Sequence, residues 1–344
     1  MNIVNFILQH NIVIEKMKKN KALVLLSGGL DSILATKIML KQGIEVEAIN
    51  FTSPFCLCGK GGCGAYKFAD ELHIPLKTIR VGKKYLKLLR NPKHGYGKNM
   101  NPCLDCRIFM FKQAKEYAKE IGASFVFTGE VLGERPMSQH KKAMYLIEQE
   151  SGLNNRILRP LSAKLLPETP MEKEGLVDRS KLLAITGRSR KPQIKLAKDL
   201  EIFNYPCPSG GCLLTYKEFA AKVRDLFKYK KRVEESDIAL LKIGRHFRAG
   251  SSKIIVGRDH QENERLLKVK KKFDYFFEVP DCGGPITVLQ GKKTKKSIEV
   301  AAGLTAFYSD NNSSWILVNY GREKLDKSIS IMNMSCSEVK GLRV

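Results

Sequence analysis

A chain of 344 residues with 43% apolar content can build two domains with real cores, which excludes a mainly disordered protein. Lys and Arg number 60 against 35 Asp and Glu, a formal charge of +25; a field of that size points to a polyanion, with an anionic membrane surface or a thermophile's Lys-rich exterior as its other uses. No run reaches the roughly 18 apolar residues of a membrane span, so no membrane partner is expected. The nine cysteines sit mostly in short-spaced clusters beside glycine and proline, which favours metal or sulfur chemistry in a reducing cytoplasm over a disulfide framework.

Residues 1–20, MNIVNFILQHNIVIEKMKKN, read as an N-terminal extension. Asn5, Gln9, His10 and Asn11 interrupt its apolar opening and no basic segment precedes it, so it is not read as a signal peptide. Met17, just before the first strand, is an alternative start, and residues 1–16 are expected to be dispensable. A strand is predicted over 21–26, a helix over 31–42 and a second strand over 44–51. A helix (65–73), a third strand (74–81), a long amphipathic helix (104–123) and a fourth strand running into a glycine turn (124–133) follow. Alternation of this length predicts an α/β fold, a parallel sheet flanked by helices, with ligands bound beyond the strand carboxyl ends. A boundary is placed near residue 214, dividing a domain over 21–214 from a smaller, basic α+β domain over 215–344. The latter opens with a basic amphipathic helical region over 217–241 and continues as a strand-rich tail.

The first strand meets Gly28 and Gly29 and turns at once into a helix opened by Asp31 and Ser32. A helix N-terminus offers unpaired N–H groups and positive potential, and glycines let an anion approach them. The spacing is neither that of a Walker A loop nor that of the dinucleotide fingerprint, and the bland alternative is a turn with Asp31 as its cap. Ser27-Gly28-Gly29-Leu30-Asp31-Ser32 resembles the pyrophosphate loop of the PP-loop ATP pyrophosphatases. That resemblance implies ATP cleaved between its α and β phosphates, with Asp31 holding Mg2+. Gly129 and Glu130, in TGEVLGERPMSQ, match the segment that frames adenine in those relatives, with Met137, Ser138 and Gln139 as site wall. Arg188 and Arg190, in TGRSRKPQ, are candidates for phosphate or RNA-backbone contact, against a plainly solvated face.

Cys103 and Cys106 enter the long helix two residues apart, where the helix dipole and Arg107 are expected to lower thiol pKa. A second group, Cys207 and Cys212, lies in YPCPSGGCLLT, and Cys56, Cys58 and Cys63 lie in CLCGKGGC. By spacing alone the first two groups suit a structural zinc site, a redox dithiol or iron–sulfur ligation. The third group could bind zinc, receive sulfur or be structural, and is expected to tolerate substitution better. Together, NPCLDCRIFMFKQAKEYAKEIGASFVFTGEVLGERPMSQ, the segment over 175–202 and PSGGCLLT resemble the tRNA thiouridine synthases of the PP-loop superfamily over nearly the whole chain. The resemblance implies adenylation of a uridine carbonyl and replacement of its oxygen by sulfur, giving 4-thiouridine or 2-thiouridine. It implies Cys103, Cys106 and Cys212 as ligands of a [4Fe-4S] cluster and Cys103 and Cys212 as catalytic thiols with Asp31; Zn2+ is the alternative metal, on the reading that the cysteines form a structural site. Cys207 is a second candidate for the third ligand, and a persulfide route with Cys103 as nucleophile stays open. The implied partners are tRNA and a sulfur donor, either a persulfide protein or sulfide.

GRHFRAGSSKIIVGRDHQENERL resembles the NFACT RNA-binding domain, notably at Gly257-Arg258-Asp259 and Glu262-Asn263-Glu264. Arg245, His246, Phe247 and Arg248 are expected to offer charge and a stacking face to RNA. The competing functions are a PP-loop ligase or amidotransferase acting on a small molecule, such as a 7-cyano-7-deazaguanine synthase with structural zinc, and a non-catalytic RNA binder.

Overall fold

The computed structural model describes residues 21–56, 64–203, 205 and 211–344. The N-terminal extension, Cys58, Cys63 and Cys207 therefore lie outside the described residues. The chain divides into two compact units, the first ending at Leu213 and the second running Leu214–Val344.

The first unit is built on five parallel strands, β1 (Lys21–Leu25), β2 (Glu45–Thr52), β3 (Leu76–Arg80), β4 (Phe125–Thr128) and β5 (Ile157–Leu158), in the order β3-β2-β1-β4-β5. In β1 the period of two sends Ala22 and Val24 to one face and Leu23 and Leu25 to the other. Both faces are buried, as a parallel sheet requires. Helices Leu30–Leu40, Ala65–Glu71 and Lys191–Asp199 contribute Leu34, Ala69 and Ala197 to the first face. Helices Cys103–Glu120 and Lys141–Ser151 contribute Phe111 and Ile147 to the second. Helices Lys83–Arg90 and Lys141–Ser151 were not expected from the sequence; their lysine-rich exposed faces hide short apolar stripes of Tyr85, Leu86 and Leu89 and of Met144 and Ile147. Because the strands are parallel, the glycine loop after β1, the turn after β2 and the Thr128-Gly129 end of β4 share one sheet edge. The helix bearing Cys103 and Cys106 also starts at that edge.

The second unit is an antiparallel sheet of β6 (Arg245–Ala249), β7 (Ser252–Val256), β8 (Tyr275–Glu278), β9 (Thr287–Gln290), β10 (Trp315–Gly321) and β11 (Lys327–Met332), in the order β11-β10-β8-β9-β7-β6. Helix Lys295–Phe307 packs on one face through Ala301, Ala302 and Leu304. The basic region over 217–241 is two helices, Lys217–Tyr229 and Glu235–Leu241, because Glu234 and Asp237 form a capping box that starts the second afresh.

One expectation for this unit is overturned. Phe247 is fully buried beside Ile254 and Phe277, and His246 is 1% exposed with Nε2 on the Ile243 carbonyl at 2.8 Å, so neither offers a stacking face. Burial, aided by the charges of Lys253 and Lys222, holds the His246 pKa well below the usual value, so the ring is neutral. Arg248 is held by both oxygens of Asp225 at 2.7 and 2.8 Å and stacks on Tyr229. The Gly257-Arg258-Asp259 and Glu262-Asn263-Glu264 segments knit the fold together. Glu262 accepts from the Gly244 and Arg258 backbones, and Asn263 joins Ile286 N–H to the Gly284 carbonyl.

Candidate active site

The glycine loop is shaped by two close approaches. Gly28 takes φ +75°, and a Cβ there would overlap the backbone of Gly64 and Ala65 at the next helix start. A Cβ on Gly129 would overlap the Asp31 carbonyl carbon and the Ser32 nitrogen, so the end of β4 lies directly against the first turn of helix Leu30–Leu40. Gly129 thus packs on the loop itself, a role its sequence context did not announce. Ser32 Oγ donates to the Gly29 carbonyl at 2.8 Å and stands 3.2 Å from Ser27 Oγ, and Asn50 donates to the Leu26 carbonyl at 2.7 Å. Leu30 is buried and anchors the helix start in the core. The result is a fixed bend with the helix's first N–H groups at the sheet edge, the arrangement that receives a phosphate.

Asp31 does not stand alone there. Arg190 Nη2 lies 3.0 Å from Asp31 and 3.0 Å from Glu134, bridging two carboxylates. Burial, reinforced by the charge of Glu134, raises the Asp31 pKa, with Arg190 and the buried Gln193 acting in the opposite direction. Arg190, read from sequence as a phosphate contact, is thus engaged with carboxylates, whereas Arg188 is exposed. Glu134 was missed; its position just beyond the Gly133 turn was the only available signal.

Glu130 is 2% exposed and lies inside an ion-pair network, with Arg107 Nη2 at 3.0 Å and Arg159 Nε at 3.1 Å. Arg159 also binds Glu148. The network joins the cysteine-bearing helix, through Arg107, to the end of β4. Because Arg159 is buried between two carboxylates, Arg159→Met should strip Glu148 of its ion-pair partner, leave Glu130 with Arg107 alone and destabilise the first unit by about 3–5 kcal/mol, measured by denaturant unfolding. An unchanged unfolding midpoint would contradict this. Gln139 braces the adjoining loop by accepting from Arg135 N–H at 3.1 Å, and Ser138 is buried beside it.

The thiols gather around Tyr85. Its hydroxyl donates to Cys106 Sγ at 3.4 Å, and Cys106, Cys212 and Cys56 all act electrostatically on its ring oxygen. Cys103 lies one turn before Cys106 on the same helix face. Cys56, set apart from Cys212 in the sequence, is directly opposite it in an antiparallel bridge. The expected depression of thiol pKa is reversed: burial raises Cys103 against the pull of Arg107 and Arg135, and raises Cys106 to about 11. Desolvation outweighs the dipole and the arginines, so both thiols stay protonated until a cation compensates them. Among the described residues no three His, Cys, Asp or Glu side chains stand at the spacing of a single ion's shell. Thiols are nevertheless the kind of donor that holds an iron–sulfur cluster.

Two family models match the chain. Residues 17–181 match the one described as thiamine biosynthesis protein (ThiI), and residues 244–342 match the NFACT protein RNA binding domain. Each match covers less than half of the chain: the first unit carries a stretch similar to the ThiI family and the second a stretch similar to the NFACT RNA-binding domain. The ThiI match is narrower than the resemblance over nearly the whole chain expected from the motifs, since it ends before Arg190 and Cys212. A probable tRNA sulfurtransferase of Thermococcus kodakarensis is 29% identical over 184 residues, covering 51% of this chain and 44% of the relative. That of Ureaplasma parvum serovar 3 is 33% identical over 147 residues, 42% of this chain and 37% of the relative. The tRNA-specific 2-thiouridylase MnmA of Ruthia magnifica is 32% identical over 125 residues, 33% of this chain and 34% of the relative. The chain thus spans less than half the length of these curated relatives. A solved 4-thiouridine synthetase–RNA complex with bound ATP aligns over 65% of this chain and 52% of that one, at 23% identity and a TM-score of 0.34.

Proposed function

We propose that the chain is an ATP-dependent tRNA sulfurtransferase of the cytoplasm that adenylates a uridine carbonyl and replaces its oxygen with sulfur, giving 4-thiouridine or 2-thiouridine. The observation that carries this reading is the shared sheet edge, where a phosphate-receiving helix start and a group of thiols lie at the ends of adjoining parallel strands. A carbonyl oxygen must first become a leaving group, and the Gly28-Gly29 loop with the first turn of helix Leu30–Leu40 would hold the departing pyrophosphate. Asp31 and Glu134 are two convergent carboxylates that fit a hard divalent cation such as Mg2+. Arg190, which neutralises that pair in the structure, would turn to phosphate when the cation takes its place. Glu130, engaged with two arginines, would position the strand end and the cysteine helix instead of touching adenine.

Cys103, Cys106 and Cys212 would hold a [4Fe-4S] cluster, which supplies an open iron for incoming hydrosulfide. Tyr85 orients Cys106 by its hydroxyl, and Arg107 offers positive charge beside the thiols. The sulfur donor is a persulfide protein or sulfide.

For the second unit, the net charge of +25 and the NFACT-type match support RNA binding, with exposed Lys and Arg as backbone contacts. Affinity for tRNA should fall about a hundredfold between about 50 and about 200 mM salt, as counterion release at a few phosphates requires. Filter binding across a salt series measures this, and a salt-independent affinity would refute the RNA assignment. Incubation with unmodified tRNA, ATP and sulfide, followed by nucleoside mass spectrometry, tests the whole reading. Pyrophosphate release that ignores tRNA would instead favour a small-molecule ligase.

A further inference from the structure

We propose that Cys56 and Cys212 form a reversible dithiol–disulfide pair, a redox modification site built into the backbone register where two distant segments meet. The pairing goes beyond the proposed sulfur transfer and does not depend on it.

Cys56 lies just past β2 and pairs in antiparallel register with Cys212. The Leu213 N–H donates to the Phe55 carbonyl at 2.9 Å. A bond between the residues flanking a pair, instead of between the pair itself, marks the non-hydrogen-bonded kind of position, at which the two side chains come closest. Cα atoms in such a pair lie about 4.5 Å apart, within the roughly 4.4–6.8 Å span of disulfides. Neither cysteine is in a disulfide and both are partly exposed, so a small oxidant can reach them. Ser53 Oγ lies 3.4 Å from Cys56 Sγ, on the same turn. The rival pair, Cys103 and Cys106, shares one helix, and the Tyr85 hydroxyl engages Cys106.

The oxidant is a low-molecular-weight disulfide of the glutathione class. The Cys56 thiolate attacks one of its sulfurs, forming a mixed disulfide and expelling one thiolate. The Cys212 thiolate then attacks the Cys56 sulfur, forming the Cys56–Cys212 bond and expelling the second thiolate. Two protein thiols give up two protons and two electrons, and one small disulfide becomes two thiols. Excess small thiol reverses both steps. While the bond is closed, Cys212 has no thiolate to offer a metal or a sulfur atom, so this bond would set whether the thiol group around Tyr85 is complete.

The test uses the full chain isolated in air and carrying Cys58→Ser, Cys63→Ser and Cys207→Ser, so that Cys56 and Cys212 are each the lone cysteine of their tryptic peptides, 42–60 and 199–217. The protein is equilibrated in graded reduced and oxidised glutathione, quenched with iodoacetamide, digested without reduction and analysed by mass spectrometry. The expected result is a linked 42–60/199–217 peptide that grows with oxidised glutathione, disappears on re-reduction and is missing after Cys56→Ser. Full alkylation of Cys56 in every buffer would overturn the proposal, as would Cys103–Cys106 or Cys103–Cys212 linkage in its place. Should the triple variant not fold, unsubstituted protein, read by fragmentation of the same two peptides, distinguishes the same outcomes.

Discussion

Replacing Asp31 with Asn should lower tRNA-dependent pyrophosphate release by about 100- to 1,000-fold, the range typical for removing one charge-stabilising group from a reacting centre. The Asp31 carboxylate sits in the first helical turn beside the loop, half of a convergent pair with Glu134. The substitution keeps the side chain's shape and removes its charge, and Arg190 retains Glu134 as a partner, so the fold should persist. Thermal unfolding of the variant checks that point, and release is followed by a coupled pyrophosphate assay. Release at the unsubstituted rate in a folded variant would remove Asp31 from the mechanism. Arg190→Lys offers a graded companion: it keeps a positive charge but loses the fork that spans two carboxylates, and should slow release less.

Substituting Cys103, Cys106 or Cys212 singly with Ala should bleach anaerobically purified protein and reduce thiolation at least about a hundredfold, because a cluster held by three thiolates cannot lose one and keep its open iron. Iron, zinc and sulfide analysis alongside the visible spectrum distinguishes the outcomes. Brown unsubstituted protein with three colourless variants supports the cluster. Colourless, zinc-loaded protein that loses its metal in all three variants would return the cysteines to a structural role. Tyr85→Phe is the subtler variant, since it keeps the ring and removes only the hydroxyl on Cys106. It should alter the spectrum without abolishing metal content.

Features with a local cause were legible in the sequence. A glycine pair between an apolar strand and a helix has one reasonable geometry, so the Gly28-Gly29 bend and the parallel alternation around it could be read directly. The cysteine helix was legible for the same reason, because spacing alone places Cys103 and Cys106 on one face. Contacts made by folding were not. Nothing near Cys56 announces Cys212, and nothing near Arg107 announces Glu130 and Arg159; each depends on which strand lies beside which. Burial misled in two places. Phe247 in a basic stretch looks like a stacking residue until its strand direction points it into the core, and Cys103 looks activated until desolvation is weighed against the helix dipole. Helix Lys83–Arg90 escaped notice because its three lysines and Arg90 interrupt a short apolar stripe, yet it supplies Tyr85.

The dipeptide Gly129-Glu130 has a mechanical consequence. Gly129 lies against Asp31 and Ser32 with no room for a side chain, and the next residue is clamped by Arg107 from the cysteine helix. Anything that shifts the start of helix Leu30–Leu40 therefore pushes on a rigid link one residue long whose other end is bolted to the helix of Cys103 and Cys106. The chain has no slack there. Inserting a single residue between the two would detune both ends at once, so the phosphate-receiving bend and the thiols cannot be re-engineered as separate modules.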